Sequence, residues 1–196
     1  MVPLVGLTGG IGAGKSEALR ALDELGAATL STDAVVHELL ASPEVHSLIV
    51  ERLGDEVAPG GEVDRSAVAE RVFGDDEARE WLEQMLWPRV GERMVSWKAE
   101  VDASDPPPPA AVVEVPLLFE SGMEGAFQHT IAVLADEEVR ERRASERGHA
   151  AVASRAGRQL SQREKADRAE YVVRNDGTLD ELKLALSRVL GTIGTT

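Results

Sequence analysis

The chain contains no cysteine. This absence excludes a disulfide framework, a thiolate nucleophile and a cysteine-ligated zinc centre, and it fits a cytoplasmic enzyme. Long apolar runs are also missing, because no stretch approaches the roughly 18 residues that a membrane-spanning helix needs. The first residues lack the basic segment and the small-residue cleavage site of a signal peptide. We therefore expect a cytoplasmic protein without a membrane anchor.

Basic residues are scarce relative to acidic ones. The chain has 21 Lys and Arg against 35 Asp and Glu, which gives a net charge of −14. A field of this sign repels nucleic acid and anionic membranes, so we expect neither as a partner. An anionic substrate would instead have to meet a local cluster of positive charge. The sequence has such a cluster of arginines between Arg140 and Arg168.

The most informative motif lies near the amino terminus. Residues 9–16 read Gly-Gly-Ile-Gly-Ala-Gly-Lys-Ser and match the phosphate-loop pattern G-x-x-x-x-G-K-[ST]. In such a loop the backbone N–H groups surround a phosphate, the lysine reaches the β/γ-phosphates and the hydroxyl can ligate Mg²⁺. The motif therefore predicts a nucleoside triphosphate site. Its candidate residues are Gly10, Ile11, Gly12, Ala13, Gly14, Lys15 and Ser16.

Short apolar segments alternate with helical patterns along the chain. This alternation predicts an α/β fold, a doubly wound five-stranded parallel sheet of the phosphate-loop nucleotide-kinase type. We expect the second strand to lie beside the first. The predicted strands are Val2–Leu7, Ala27–Ser31, Ala111–Val115, Thr130–Leu134 and Tyr171–Arg174.

One connection is far longer than a crossover requires. About 80 residues separate the second and third strands, where about a dozen would suffice. They carry helical patterns at 34–40, 45–53, 66–72 and 77–101. This segment reads as a helical insertion that binds the acceptor substrate.

A second unusual stretch is rich in arginine and follows the fourth strand. It reads either as a lid whose arginines close over phosphates or as a solvated, ion-paired helix, and we favour the lid. The expected division is then a nucleotide-binding core (1–33, 110–136 and 168–196), a helical acceptor subdomain (34–109) and a lid (137–167).

Two carboxylates follow predicted strands, where ligands bind in open α/β sheets. Asp33 comes two residues after the second strand. It is a candidate general base for an acceptor hydroxyl or a magnesium ligand, and it could also cap the helix that follows. Glu114 lies near the end of the third strand and is a candidate for a water-mediated magnesium contact.

Several motifs resemble those of the dephospho-coenzyme A kinase family. The most distinctive is the string Val115-Pro116-Leu117-Leu118-Phe119-Glu120-Ser121-Gly122. The similarity runs from residue 4 to about 182, nearly the whole chain. The other matching motifs are Gly6–Ser16, Asp33-Ala34, Glu62-Val63-Asp64-Arg65, the pair Arg143 and Arg147, Gln159, and Asn175-Asp176-Gly177.

The resemblance implies a reaction and a site. The family transfers the γ-phosphate of ATP, with Mg²⁺, to the ribose 3′-hydroxyl of dephospho-coenzyme A, the last step of coenzyme A synthesis. The resemblance implies that Asp33 is the base that activates the 3′-hydroxyl. It also implies that Lys15 and Arg143 are catalytic residues that contact the ATP phosphates. The implied further ATP contacts are Arg147 and Asn175. The implied acceptor contacts are Thr8, Asp33, Arg65, Leu117, Leu118, Phe119 and Glu120.

The same fold also supports other functions. A GTPase would need an Asn-Lys-x-Asp motif after a late strand, and the chain has none. A kinase with another small acceptor and a non-catalytic nucleotide-binding module stay open as alternatives. Three positions depart from the family pattern: Trp87 stands before Pro88 where the family has His, His37 where it has Arg, and Glu170 where it has Asp. The oligomeric state is also left open, with a monomer as one option.

Overall fold

Five short apolar segments form one parallel sheet in the computed structural model, which describes residues 1–145 and 159–194. Every residue of the third segment is buried, as expected for a strand covered on both faces. The predicted doubly wound five-stranded parallel sheet is confirmed. The strands are β1 (Leu4–Gly9), β2 (Ala28–Ser31), β3 (Ala111–Glu114), β4 (His129–Leu134) and β5 (Tyr171–Arg174).

The strand order is β2-β3-β1-β4-β5, so the phosphate-loop strand is central. The expectation that the second strand lies beside the first was wrong, because β3 is inserted between them. Glu114, the last residue of β3, pairs with Leu7 of β1 on one side and with Ser31 of β2 on the other. Since all five strands are parallel, their carboxyl ends meet along one edge of the sheet, where ligands bind in such folds.

Helices form where apolar side chains recur at helical spacing and where polar residues cap the ends. Ser161 and Thr178 each cap the start of a helix and form a capping box with Glu164 and Glu181, respectively. No helix among the described residues is long and apolar enough to cross a membrane. The helices of the described residues are α1 (Lys15–Glu24), α2 (Thr32–Ala41), α3 (Pro43–Leu53), α4 (Arg65–Val72), α5 (Asp76–Asp102), α6 (Glu137–Ser145), α7 (Gln162–Arg168) and α8 (Leu179–Ile193).

The chain divides into two units, and the sheet belongs to the one that comprises Met1–Ser31 and Trp97–Thr196. The core of this unit joins β1, β3, β4 and β5 to α1 and α8 through side chains that water does not reach. The largest of these are Val5, Leu7, Leu22, Val112, Ile131, Val133, Leu182 and Leu186. Because each buried leucine contributes about 1.5–3 kcal/mol, this core holds α1 and α8 against the sheet.

The second unit is Thr32–Ser96, and it is helical. Ser42 caps α3, whose first residue is a proline, and Asp64 caps α4 by accepting hydrogen bonds from the backbone N–H groups of Ser66 and Ala67. The unit has its own apolar core, made of Leu40, Val45, Ile49, Leu53, Val57, Val68, Ala78, Met85 and Leu86. The functional division into core, acceptor subdomain and lid stays a prediction.

Leu186→Ala tests the contact of α8 with the sheet. Leu186 is fully buried, so the change removes apolar burial and leaves a cavity, and we expect the free energy of unfolding to fall by about 2–5 kcal/mol. Leu184→Ala, on the exposed side of the same helix, is the matched control and should stay within about 0.5 kcal/mol of the wild type. Urea unfolding measures both, and equal losses would contradict this packing.

Candidate active site

The loop between β1 and α1 turns on glycines in the left-handed region. Gly12 has a φ of 76° and Gly14 a φ of 87°, values that other residues rarely adopt. There is also no room for a side chain at either glycine. A Cβ on Gly12 would lie 2.5 Å from the carbonyl oxygen of Arg140, and one on Gly14 would lie 2.1 Å from Nδ2 of Asn175. Both backbone conformation and neighbouring atoms therefore require glycine at these two positions of the motif.

Side chains from other elements hold the backbone of this loop. The Asn175 amide donates to the carbonyl of Ala13 at 3.0 Å, and the Arg140 guanidinium donates to the carbonyl of Ile11 at 2.9 Å. The backbone N–H of Ile11 donates to the Gln159 side chain at 3.2 Å. Because both partners of each bond are protein groups, these bonds define the loop conformation without a bound phosphate.

Positive charge collects at this loop. Lys15 is the first residue of α1, and its ammonium donates to the carbonyl of Gly10 at 3.2 Å. Arg143, on α6, donates to the carbonyl of Asn175 at 3.0 Å, beside the Asn175 amide that contacts the loop. Together with Arg140 these cations lie near the amino end of α1, whose first backbone N–H groups favour an anion. The loop region is therefore suited to bind phosphates.

The predicted nucleotide-binding residues are only partly covered by the described structure. Asn175 is buried at the end of β5, and its backbone N–H donates to the carbonyl of Leu134 at 2.8 Å. It thus joins β4, β5 and the phosphate loop at one point. Arg147 lies outside the described residues, as do all of residues 146–158 of the predicted lid, 137–167.

The predicted acceptor loop follows β3 and is mostly buried. Leu118 and Phe119 are buried, and Leu117 is half-buried. The Arg168 guanidinium lies over the Phe119 ring, 4.9 Å from its centroid, which suits a cation–π contact. Leu118 and Phe119 therefore anchor the loop from within, and their role toward a substrate stays a prediction.

A lysine that the sequence analysis did not single out connects this loop to β1. Lys165, on α7, has no exposed surface, and its ammonium lies 2.7 Å from Oε1 of Glu120. It also donates to the carbonyl of Pro116 at 3.0 Å and, more weakly, to the hydroxyl of Thr8 at 3.4 Å. Burial lowers the pKa of Lys165 below its ordinary value of 10.5, and the bond to Glu120 opposes that shift.

The sequence offers no local signal for this lysine. It stands in a run of arginines, glutamates and aspartates that reads as a solvated helix. Its partner Thr8 is 157 residues away along the chain. The buried hydroxyl of Thr8, a predicted acceptor contact, donates to the carbonyl of Pro116 at 3.3 Å. Only the fold brings these groups together.

Asp33 and Arg65 belong to the Thr32–Ser96 unit. The helix α2 begins at Thr32, so Asp33 lies in its first turn and is not the residue that caps it. Arg65 is exposed and is the first residue of α4, directly after the cap Asp64. The cap therefore fixes the backbone from which the Arg65 side chain extends.

Comparison with known proteins identifies the family. The family model for dephospho-CoA kinase matches residues 3–181. A dephospho-CoA kinase from Protochlamydia amoebophila is 40% identical over 187 residues, which cover 93% of this chain and 92% of that protein. The chain belongs to the dephospho-CoA kinase family. The resemblance noted in the sequence is thus confirmed, and the kinase family implies ATP as the phosphoryl donor.

Solved structures agree with this fold. A crystal structure of a Thermus thermophilus protein superposes with a TM-score of 0.81 at 34% identity, and the match covers 97% of each chain. The dephospho-CoA kinase from Campylobacter jejuni superposes with a TM-score of 0.70 at 23% identity, over 100% of this chain and 98% of that one. The second comparison supports the fold alone.

The candidate site offers oxygen ligands that fit a magnesium ion bound together with a nucleotide. Mg²⁺ prefers oxygen ligands and is held by one or two protein oxygens together with phosphates and water. Ser16, the second residue of α1, offers a hydroxyl, and Glu114, buried at the end of β3, offers a carboxylate. Among the described residues no group of three or more His, Cys, Asp or Glu could hold a metal alone.

Gly14→Ala tests the fit of the phosphate loop. The new methyl group would meet the Asn175 amide, so we expect ATP affinity to fall at least about tenfold, the loss that follows from one weakened charge-assisted contact. Gly26→Ala is the matched control, because Gly26 has a φ of 89° and open space around its Cβ position.

Both variants should lose about 1–3 kcal/mol of stability to backbone strain. Urea unfolding measures that loss, and titration calorimetry measures ATP binding. Equal ATP affinity in the two variants would show that the contact with Asn175 does not shape the loop.

Proposed function

We propose that this chain transfers the γ-phosphoryl group of ATP to the ribose 3′-hydroxyl of dephospho-coenzyme A. The bond between the γ-phosphorus and the ADP oxygen breaks, a bond from phosphorus to the 3′-oxygen forms, and coenzyme A and ADP leave. The observation that carries the proposal is the phosphate loop held by Asn175 and Arg140, in a chain that matches the family over residues 3–181. The loop supports the donor, and the family supports the acceptor.

Toward the phosphoryl donor, ATP, the protein contributes positive charge and the correct position of the phosphates. Phosphoryl transfer spreads negative charge over the γ-oxygens, and there is little covalent chemistry to perform. The N–H groups of Gly10, Gly12 and Gly14 and of the first turn of α1 would bind the phosphates, since those of Ile11 and Ala13 donate to Gln159 and Gly10. Lys15 would neutralise charge on the transferring group. Arg143, Arg147 and Asn175 complete the proposed ATP contacts. Arg143 and Asn175 are supported by their hydrogen bonds beside the loop.

On the acceptor side Asp33 is the proposed base. Its carboxylate would accept the proton of the 3′-hydroxyl as that oxygen attacks the γ-phosphorus. Arg65 would pair with the diphosphate of dephospho-coenzyme A, because an exposed guanidinium suits phosphate oxygens. Thr8 and the loop Leu117–Glu120 are the other proposed acceptor contacts. Asp33 as a magnesium ligand is the alternative role for the same side chain.

Magnesium is part of the proposal. Ser16 and Glu114 would hold the ion, Glu114 through water. When bound, Mg²⁺ neutralises charge on the phosphate oxygens and helps to orient them. The protein contributes the position of the two oxygen ligands. Ser16 is positioned by the start of α1, and Glu114 by the pairing of β3 with β1 and β2.

Asp33→Asn tests the proposed base. The amide keeps the shape of the side chain and cannot accept the proton, so we expect turnover with dephospho-coenzyme A to fall by about 10²- to 10⁴-fold. Affinity for magnesium-ATP should stay within about threefold, a difference below 1 kcal/mol. Glu38→Gln, an exposed acid on the same helix, is the matched control and should retain wild-type turnover.

The readouts are coenzyme A formation, followed by mass, and ATP binding by calorimetry. Loss of magnesium-ATP binding with little change in the chemical step would make Asp33 a metal ligand instead. A wild-type protein that forms no coenzyme A would overturn the proposed function.

A further inference from the structure

The buried ammonium of Lys165 joins two parts of the chain that are distant in sequence. Its three acceptors lie at the end of β1, at the start of the loop after β3, and further along that loop: Thr8, Pro116 and Glu120. An ammonium group has three protons, and this arrangement gives each one an oxygen. Lys165 thus connects the strand that leads into the phosphate loop with the loop 115–122.

Glu120 receives a second bond from the same segment. Its Oε1 also accepts a hydrogen bond from the backbone N–H of Leu160 at 2.8 Å. Its other oxygen, Oε2, is buried and has no hydrogen-bond partner within the described residues. Among the described residues, the hydrogen bonds to this carboxylate are therefore all made at Oε1, by Lys165 and Leu160, and Lys165 is the cation in contact with it.

The helix that carries Lys165 is itself fixed against the sheet. The Gln162 side chain donates to the carbonyl of Ala135 at 2.7 Å and accepts from the N–H of the same residue at 2.9 Å. Gln159, just before α7, accepts from the N–H of Ile11 in the phosphate loop. The segment 159–165 therefore contacts the phosphate loop, the end of β4 and the loop 115–122.

Stability alone does not account for a charge pair in this place. Removing two ions from water costs several kcal/mol each, and apolar replacements of similar volume are often as stable or more stable. The pair does fix geometry, because its hydrogen bonds are short and directional. The arrangement is better suited to hold the loop 115–122 in one position than to stabilise the fold.

We propose that Lys165 is a positioning residue that sets the loop 115–122, and with it the acceptor contacts Leu117–Glu120, relative to the phosphate loop. The inference rests on the proposed function for the identity of the acceptor. Lys165 touches neither substrate, since it has no exposed surface. Replacement of Lys165 would shift the loop 115–122. The phosphate loop would stay in place, because Asn175 and Arg140 hold it.

The test compares Lys165→Met with the double variant Lys165→Met/Glu120→Gln. The single change leaves the Glu120 carboxylate buried without its cation and is expected to lower the urea midpoint. The double change removes both charges with little change in shape, and it should recover most of that midpoint. Lys183→Met/Glu24→Gln is the matched control, because it removes an ion pair of 2.5 Å that is partly exposed in the same unit.

Two readouts separate positioning from stability. Amide hydrogen exchange followed by mass spectrometry reports on the loop 115–122 without any substrate, and we expect faster exchange there in the double variant. Steady-state kinetics should show kcat/KM for dephospho-coenzyme A about 10- to 100-fold lower in Lys165→Met, which keeps every proposed acceptor contact, and in the double variant; this is the cost of misplacing reacting groups by about an ångström. The Kd of ATP should stay within about threefold. The control pair should match the wild type in exchange and in kinetics.

A double variant with wild-type stability, wild-type exchange in the loop and wild-type kcat/KM would overturn the proposal, because Lys165 would then only balance the charge of Glu120. Equal losses for ATP and for the acceptor would overturn it as well. If the wild type forms no coenzyme A, the proposed function fails. The exchange measurement then still decides whether Lys165 holds the loop.

Discussion

The phosphate loop must keep the N–H groups of its glycines and of the first turn of α1 directed at an anion while its carbonyl groups find partners elsewhere. Two bonds from side chains of other elements help to meet this constraint, from Asn175 to the carbonyl of Ala13 and from Arg140 to that of Ile11. Asn175 follows β5 and Arg140 lies on α6, so both bonds depend on the order of strands around β1. The glycines at 12 and 14 make room for these partners, and the parallel sheet brings the partners to the loop.

The structure also shows how a strongly acidic chain can present a locally positive phosphate loop. The net charge of −14 acts at long range, where salt screens it with a decay length of about 8 Å. Lys15, Arg140 and Arg143 act within contact distance of the loop, together with the amino end of α1. Local cations and backbone N–H groups therefore outweigh the distant carboxylates. The ammonium of Lys165 differs from these cations, because it is paired with Glu120 and has no exposed surface; its proposed role is to position a loop.

Features encoded by nearby residues could be predicted, and features that depend on distant pairing could not. The phosphate loop, the five strands and the helices of the 34–101 region follow from short motifs and from periodicity, and the structure differs from them by one to a few residues at the ends. The insertion of β3 between β1 and β2 is a matter of topology, which local patterns do not encode. The role of Lys165 could not be predicted, because its partners Thr8, Pro116 and Glu120 are distant in sequence. The sequence also did not distinguish Arg140 from the other arginines of its segment, because its contact with Ile11 depends on the fold.

The most direct test of the central claim is the choice of acceptor. Release of ADP from magnesium-ATP can be followed in a coupled assay with dephospho-coenzyme A, and in parallel with adenosine, AMP and shikimate. The account predicts release with dephospho-coenzyme A only, and a product whose mass is that of coenzyme A. Turnover with another of these acceptors and none with dephospho-coenzyme A would contradict it, while leaving the phosphate loop and the fold unchanged.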